Sequence, residues 1–184
     1  MSVRVQVVSL RADAVPTALP TTLGRALGRP PAQIAITRVC ERCGDLDHGR
    51  PRMPGGEIAF SVSHSGGAAV IALTPDSPRI GVDLELVRAR PFLERLAART
   101  LAPDAYAAWR AAPKTERLAT FLRVWTMKEA YLKAIGLGIA TTLADVPDQP
   151  SGWTVQPIGA PPGFVASLAV ETTQPLIVCD GTAG

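Results

Sequence analysis

Val3, Val5 and Val7 alternate with Arg4 and Gln6 across Val3–Leu10, the period-two pattern of a half-buried strand. Ile80–Val87 (IGVDLELV) repeats it, with Ile80, Val82, Leu84 and Leu86 on one face and Asp83 and Glu85 on the other. Helical spacing predicts Thr17–Leu27, stopped by Gly28 and Pro30-Pro31, and then Pro91–Thr100 and Pro103–Trp109. The strongest helix is Thr115–Ile135, in which Leu118, Phe121, Leu122, Trp125, Leu132 and Ile135 supply the apolar positions. Thr115 is its expected N-cap and Gly136 its stop. Ile34–Val39 reads as a strand, Cys40–Pro54 as a turn-rich loop, and Phe60–Val62 with Ala68–Leu73 as a hairpin about His64–Gly67. Trp153–Ile158, Phe164–Glu171 and Leu176–Cys179 complete the strands. Each half holds helix and strands without a βα repeat. The expected fold is therefore α+β, with two lobes, 1–82 and 83–184, that a pseudo-duplication would relate.

Composition narrows the class. A chain of 184 residues, 47% hydrophobic and 19% charged, can bury a core as one domain or two small lobes. Its 16 glycines and 17 prolines predict many turns and exclude a coiled coil. No apolar run approaches the ~18 residues of a membrane helix, and MSVRVQVVSLRAD has no secretory pattern. Three cysteines fit a reducing compartment, so a cytoplasmic location is expected. The formal charge of +3 lies wholly in residues 1–82 and is mostly arginine. Arginine suits phosphate or carboxylate, but a Gly/Ala/Pro/Arg-rich composition would give the same excess. No basic run is dense enough for nucleic acid.

Asp83 and Glu85 stand roughly 7 Å apart along one strand face, at ~3.3 Å per residue. Such a pair resists joint ionisation unless a cation relieves it, and Mg²⁺ takes a few carboxylates with water and phosphate oxygens. An exposed edge strand kept soluble by acids would show the same letters. Glu129 adds a third acid, on a stripe with Trp125 and Lys133 at i, i+4, i+8, with Lys128 adjacent. A solvated Glu–Lys pair explains Glu129 and Lys133, but neither Trp125 nor the upstream acids. Ser61–Gly67 (SVSHSGG) reads either as an anion cradle or as an ordinary hairpin turn, and it lacks P-loop spacing. Cys40, Cys43 and His48 form a weak zinc pattern, since only Cys179 remains as a further thiol.

Taken together, Gly49-Arg50-Pro51, Phe60–Ser65, Gly81–Glu85 and Trp125–Lys133 resemble the ordered blocks of the 4′-phosphopantetheinyl transferase superfamily, most closely its Sfp-type members. The family pattern reads G-K-P, F-N-x-S-H-S, G-[IV]-D-[IVL]-E and W-x-x-K-E-[AS]-x-x-K; here Arg50 replaces the Lys and Ser61 the Asn. The resemblance implies two similar lobes with the site in the cleft between them. It implies Mg²⁺-dependent transfer of the phosphopantetheine arm of coenzyme A to a serine of an acyl or peptidyl carrier protein, as in polyketide and nonribosomal peptide synthesis. Asp83, Glu85 and Glu129 would hold the metal, while Arg50, Ser63, His64, Lys128 and Lys133 would meet the coenzyme. Glu129, Lys133 and His64 would be catalytic, with Glu129, or a metal-bound water it orients, as the base. About twenty residues precede Thr21, and Pro20 stands where an Arg is common, so Arg25, Arg29, Arg38 or Arg42 would have to supply a basic 3′-phosphate clamp. A monomer is expected. A diphosphate hydrolase and a non-catalytic coenzyme-binding relic are the alternatives.

Overall fold

The computed structural model describes residues 1–38, 49–137 and 142–181. Cys40, Cys43, His48 and Arg42 lie outside the described residues.

The first sheet has the order β4-β5-β1-β9, from β1 (Val3–Arg11), β4 (Ala59–Ser65), β5 (Ala68–Thr74) and β9 (Leu176–Asp180). β1 pairs antiparallel with β5 and parallel with β9, so the last strand returns to the sheet that the first one opened. A second sheet, β6-β8-β7, is antiparallel and comprises β6 (Ile80–Leu86), β7 (Thr154–Ile158) and β8 (Phe164–Val170). A short β2 (Thr37–Arg38) pairs with β3 (Pro51–Arg52). Among the described residues, the strand expected over 34–39 is thus reduced to two positions.

The two sheets pack face to face. Val3, Val5, Val7 and Val70 of the first meet Ile80, Val82, Leu84 and Leu168 of the second in one buried cluster. The outer face of the first sheet takes Leu19 and Leu23 of α1 (Val15–Leu27), against Val8, Phe60, Ile71 and Leu73. The outer face of the second takes Ala130 and Ala134 of α4 (Lys114–Ile135), against Val155 and Ala169. α2 (Leu93–Thr100) and α3 (Pro103–Ala111) close the other side of α4 through Ala97, Trp109, Phe121 and Leu122. The mixed α+β class expected from the pattern is the one observed. Among the described residues, no helix is long and apolar enough to cross a membrane.

α4 begins after Pro113, and no side chain caps it, so Thr115 is inside the helix rather than its N-cap. Proline there presets φ (−54°) without leaving an amide to satisfy. The helix ends as expected at Gly136, whose φ of 78° is left-handed and whose amide bonds Leu132 O. Gly81 fixes how closely α4 can lie on β6. A Cβ at that position would stand 1.9 Å from Ala130 O and 2.6 Å from Ala134 N, so only glycine admits the helix backbone.

Candidate active site

β4 and β6 are the facing edges of the two sheets, and three serines of β4 bridge them. The hydroxyls of Ser61, Ser63 and Ser65 accept from the amides of Val82, Leu84 and Leu86 at 3.1, 3.2 and 3.2 Å. The period of two in S-x-S-x-S matches the alternation of amides along β6, and a ladder of side chains satisfies an edge that would otherwise be open. Asp83 and Glu85 therefore do not lie on a solvated edge strand. Ser63 donates to Asp83 Oδ1 at 3.0 Å and Ser65 to Glu85 Oε2 at 3.1 Å. The strand carries its acids on the face opposite Ile80, Val82 and Leu84, towards α4.

On α4, Trp125, Glu129 and Lys133 line one cavity of about 400 Å³ together with Ser63, His64 and Asp83, and Glu85 also borders it. The stripe read from the sequence does converge there. Lys133 is paired with Asp83 at 2.6 Å, across two elements, rather than with Glu129 along the helix. Its ammonium also donates to Ser63 at 2.8 Å, which leaves one of its three N–H donors for the cavity. Glu129 is 8% exposed and Asp83 5%. Burial pushes the carboxyl of Glu129 up, and Asp83 and Glu85 nearby push it further, against the pull of Lys133. Burial also raises Asp83, opposed by Lys133 and Ser63. Asp83 Oδ2 and Glu129 Oε1 are buried without a hydrogen-bond partner.

Of the remaining expected residues, Ser63 and His64 stay at this cavity and Lys128 and Arg50 are engaged elsewhere. The hydroxyl of Ser63 is saturated, with one proton on Asp83 and both lone pairs used by Leu84 and Lys133. Lys128, next to Glu129 in sequence, points the other way. It is 3% exposed, donates to Thr100 O and Leu143 O at 3.0 Å each, and pairs with Asp148 at 3.3 Å. The terminal nitrogens of Arg50 donate to four backbone carbonyls, those of Lys133, Ala134, Phe60 and Ile80, at 2.9–3.2 Å. Arg50 borders a separate cavity of about 580 Å³ with Arg52, Phe60 and Arg79. Arg29 is paired with Glu57 at 2.7 Å. His64 is exposed at the rim of the smaller cavity.

Among the described residues, no three His, Cys, Asp or Glu side chains are gathered closely enough to hold a metal ion. The three acids reach one cavity without closing into a ligand cluster. The reason is visible in their partners: Asp83 Oδ1 is drawn to Lys133 and Ser63, and Glu85 is held by Ser65 and by a short ion pair with Arg90. Arg90 was not singled out in the sequence. Its only signal was a position five residues past Glu85, in the loop that leaves β6.

Two buried acids, a lysine and an exposed histidine thus line a charged cavity at the inter-sheet seam of an α+β protein. Residues 79–167 match the family model of the 4′-phosphopantetheinyl transferase superfamily. The chain is 33% identical over 165 residues to the 4′-phosphopantetheinyl transferase HetI of Nostoc sp., covering 83% of this chain and 67% of that protein. A 4′-phosphopantetheinyl transferase of Bacillus subtilis is 28% identical over 164 residues, covering 86% of this chain and 68% of that protein. The 4′-phosphopantetheinyl transferase Sfp of Bacillus subtilis is 31% identical over 103 residues, which cover 55% of this chain and 44% of Sfp. The chain belongs to the 4′-phosphopantetheinyl transferase superfamily, a superfamily of enzymes.

Proposed function

We propose that this protein transfers the 4′-phosphopantetheine arm of coenzyme A to a serine hydroxyl of an acyl or peptidyl carrier protein, releasing adenosine 3′,5′-bisphosphate. The observation that carries this reading is the pair of unpartnered buried oxygens, Asp83 Oδ2 and Glu129 Oε1, in side chains that line one cavity with Lys133. Hard oxygen donors of low number, completed by water and phosphate, fit Mg²⁺. Asp83 and Glu129 would hold it, while Glu85 stays with Ser65 and Arg90, and when bound it would offset the charge of the diphosphate.

The protein's own groups supply the rest. The serine oxygen attacks the phosphorus bonded to pantetheine, and the bond from that phosphorus to the bridging oxygen breaks. The hydroxyl proton passes to Glu129, or to a water that Glu129 orients, since this carboxylate lines the cavity beside Lys133. The remaining N–H of Lys133, with His64 at the rim, meets the departing phosphate. The cavities follow one another along β4 and α4, the larger continuing onto the segment that precedes β6. The smaller uses residues 62–64, 83–85 and 125–133, and the larger residues 58–60, 78–79 and 134–135. We read the larger one, with Arg52 and Arg79 on its wall, as the nucleotide end of the groove. α1 on the first sheet and α4 on the second are the two lobes of this reading, and the β4–β6 seam is its cleft.

Chromatographic quantitation of adenosine 3′,5′-bisphosphate tests it. Release that requires both coenzyme A and apo carrier protein is expected. Release with coenzyme A alone would make water the acceptor and the protein a hydrolase.

A further inference from the structure

Arg50 lies in the block where the resemblance places a coenzyme contact, yet its geometry is that of a lock. Its two terminal nitrogens carry four N–H donors, and four carbonyls take them. Lys133 O and Ala134 O accept at 2.9 and 3.0 Å, Phe60 O at 3.2 Å and Ile80 O at 2.9 Å. The first two belong to the last turn of α4, where helix carbonyls have no partner of their own. Gly136 and Leu137 donate to Leu132 O, so Arg50 completes the satisfaction of that turn from a distant segment. A cation at a helix C-terminus is also favoured by the helix dipole. The other two carbonyls lie on β4 and β6.

Those three elements carry the whole cleft: His64 on β4, Asp83 and Glu85 on β6, Glu129 and Lys133 on α4. We propose that Arg50 is a positioning residue, which joins the end of α4 to β4 and β6 and thereby sets Lys133 and Glu129 against Asp83, and that it is not a ligand of the coenzyme's phosphates. This rests on the transferase reading. A planar fork with four fixed donors suits two pairs of carbonyls on different elements, and a lysine ammonium, with three donors from one point, cannot span them.

The test compares wild type with R50K, using coenzyme A and dephospho-coenzyme A as donors to an apo carrier protein. R50K is expected to lower kcat about tenfold or more with both donors and to lower the thermal midpoint, while KM for coenzyme A moves less than about threefold. The preference for the 3′-phosphate stays as in wild type. A tenfold rise in KM for coenzyme A, at unchanged kcat and melting and with that preference lost, would overturn the proposal. So would a kcat per folded molecule equal to wild type despite lower melting. Arginine side-chain nitrogen NMR of the wild-type protein covers the case in which R50K does not fold. The Arg50 signals are expected to show slow, protected N–H exchange and to stay in place when coenzyme A is added; their displacement on titration overturns the lock. If wild type transfers nothing, the transferase reading fails, while the melting and NMR arms still judge the lock.

Discussion

Replacing Gly81 by Ala tests the seating of α4, on which the cleft depends. The added methyl carbon would stand 1.9 Å from Ala130 O and 2.6 Å from Ala134 N, both helix backbone atoms that no rotamer change can move. To reach an ordinary 3.4 Å contact the helix must retreat from β6 by about 1.5 Å. A gap of ~0.5–1 Å already forfeits a quarter to a half of a dispersion contact, and α4 buries Ala130 and Ala134 at 2% exposure or less against the second sheet. Adding the strain of overpacking, we expect a loss of about 4 kcal/mol, a large value for one methyl group. At ~2–4 °C per kcal/mol for a chain of this size, the melting temperature should fall by roughly 8–16 °C. Lys133 and Glu129 ride on the displaced helix, and a misplacement of about 1 Å can cost ~100-fold in rate. Circular-dichroism melting and an initial-rate transfer assay below the lower midpoint read the two effects separately. A G81A protein that melts within about 2 °C of wild type and transfers at a similar rate would refute the close-approach argument.

E129Q removes a buried carboxylate whose proton affinity is raised in the fold. Because the folded state holds that proton more tightly, the contribution of Glu129 to stability is full below the unfolded value of about 4.3 and is lost as pH rises through the folded one. E129Q should therefore melt above wild type at pH 8, with the gap closing towards pH 4, while transfer falls about 10²–10⁴-fold; parallel melting curves across that range would contradict the assignment. S63A leaves the buried Leu84 amide without its acceptor and frees Lys133 from one partner, so a loss of about 1–3 kcal/mol in urea unfolding is expected together with slower transfer. K128M strands two carbonyls far from the cavity and should cost about 1–3 kcal/mol while leaving KM for coenzyme A unchanged. A rise in that KM would place Lys128 at the coenzyme after all.

Much of this was legible in the chain, for reasons that are local. Period two on β6 placed Asp83 and Glu85 on one face opposite Ile80, Val82 and Leu84, and i, i+4, i+8 spacing placed Trp125, Glu129 and Lys133 on one stripe. Gly136 announced the end of α4 because only a left-handed residue suits that cap. What the pattern could not carry is where long cations end. Arg50 and Lys128 read as free phosphate donors, yet the carbonyls that hold them come from segments up to 84 residues away. Ser63 read as part of an anion turn because the partner of a β4 hydroxyl lies on β6. The common offset of twenty from Ser63 to Asp83 and from Ser65 to Glu85 was the available sign of that ladder.

Intact-mass spectrometry of an apo carrier protein incubated with this protein, coenzyme A and Mg²⁺ addresses the acid-and-lysine cleft most directly. A gain of one phosphopantetheine is expected with the wild-type protein, abolished by EDTA and by D83N. An unmodified carrier with wild type, or equal modification by D83N, would contradict the role given to the cleft.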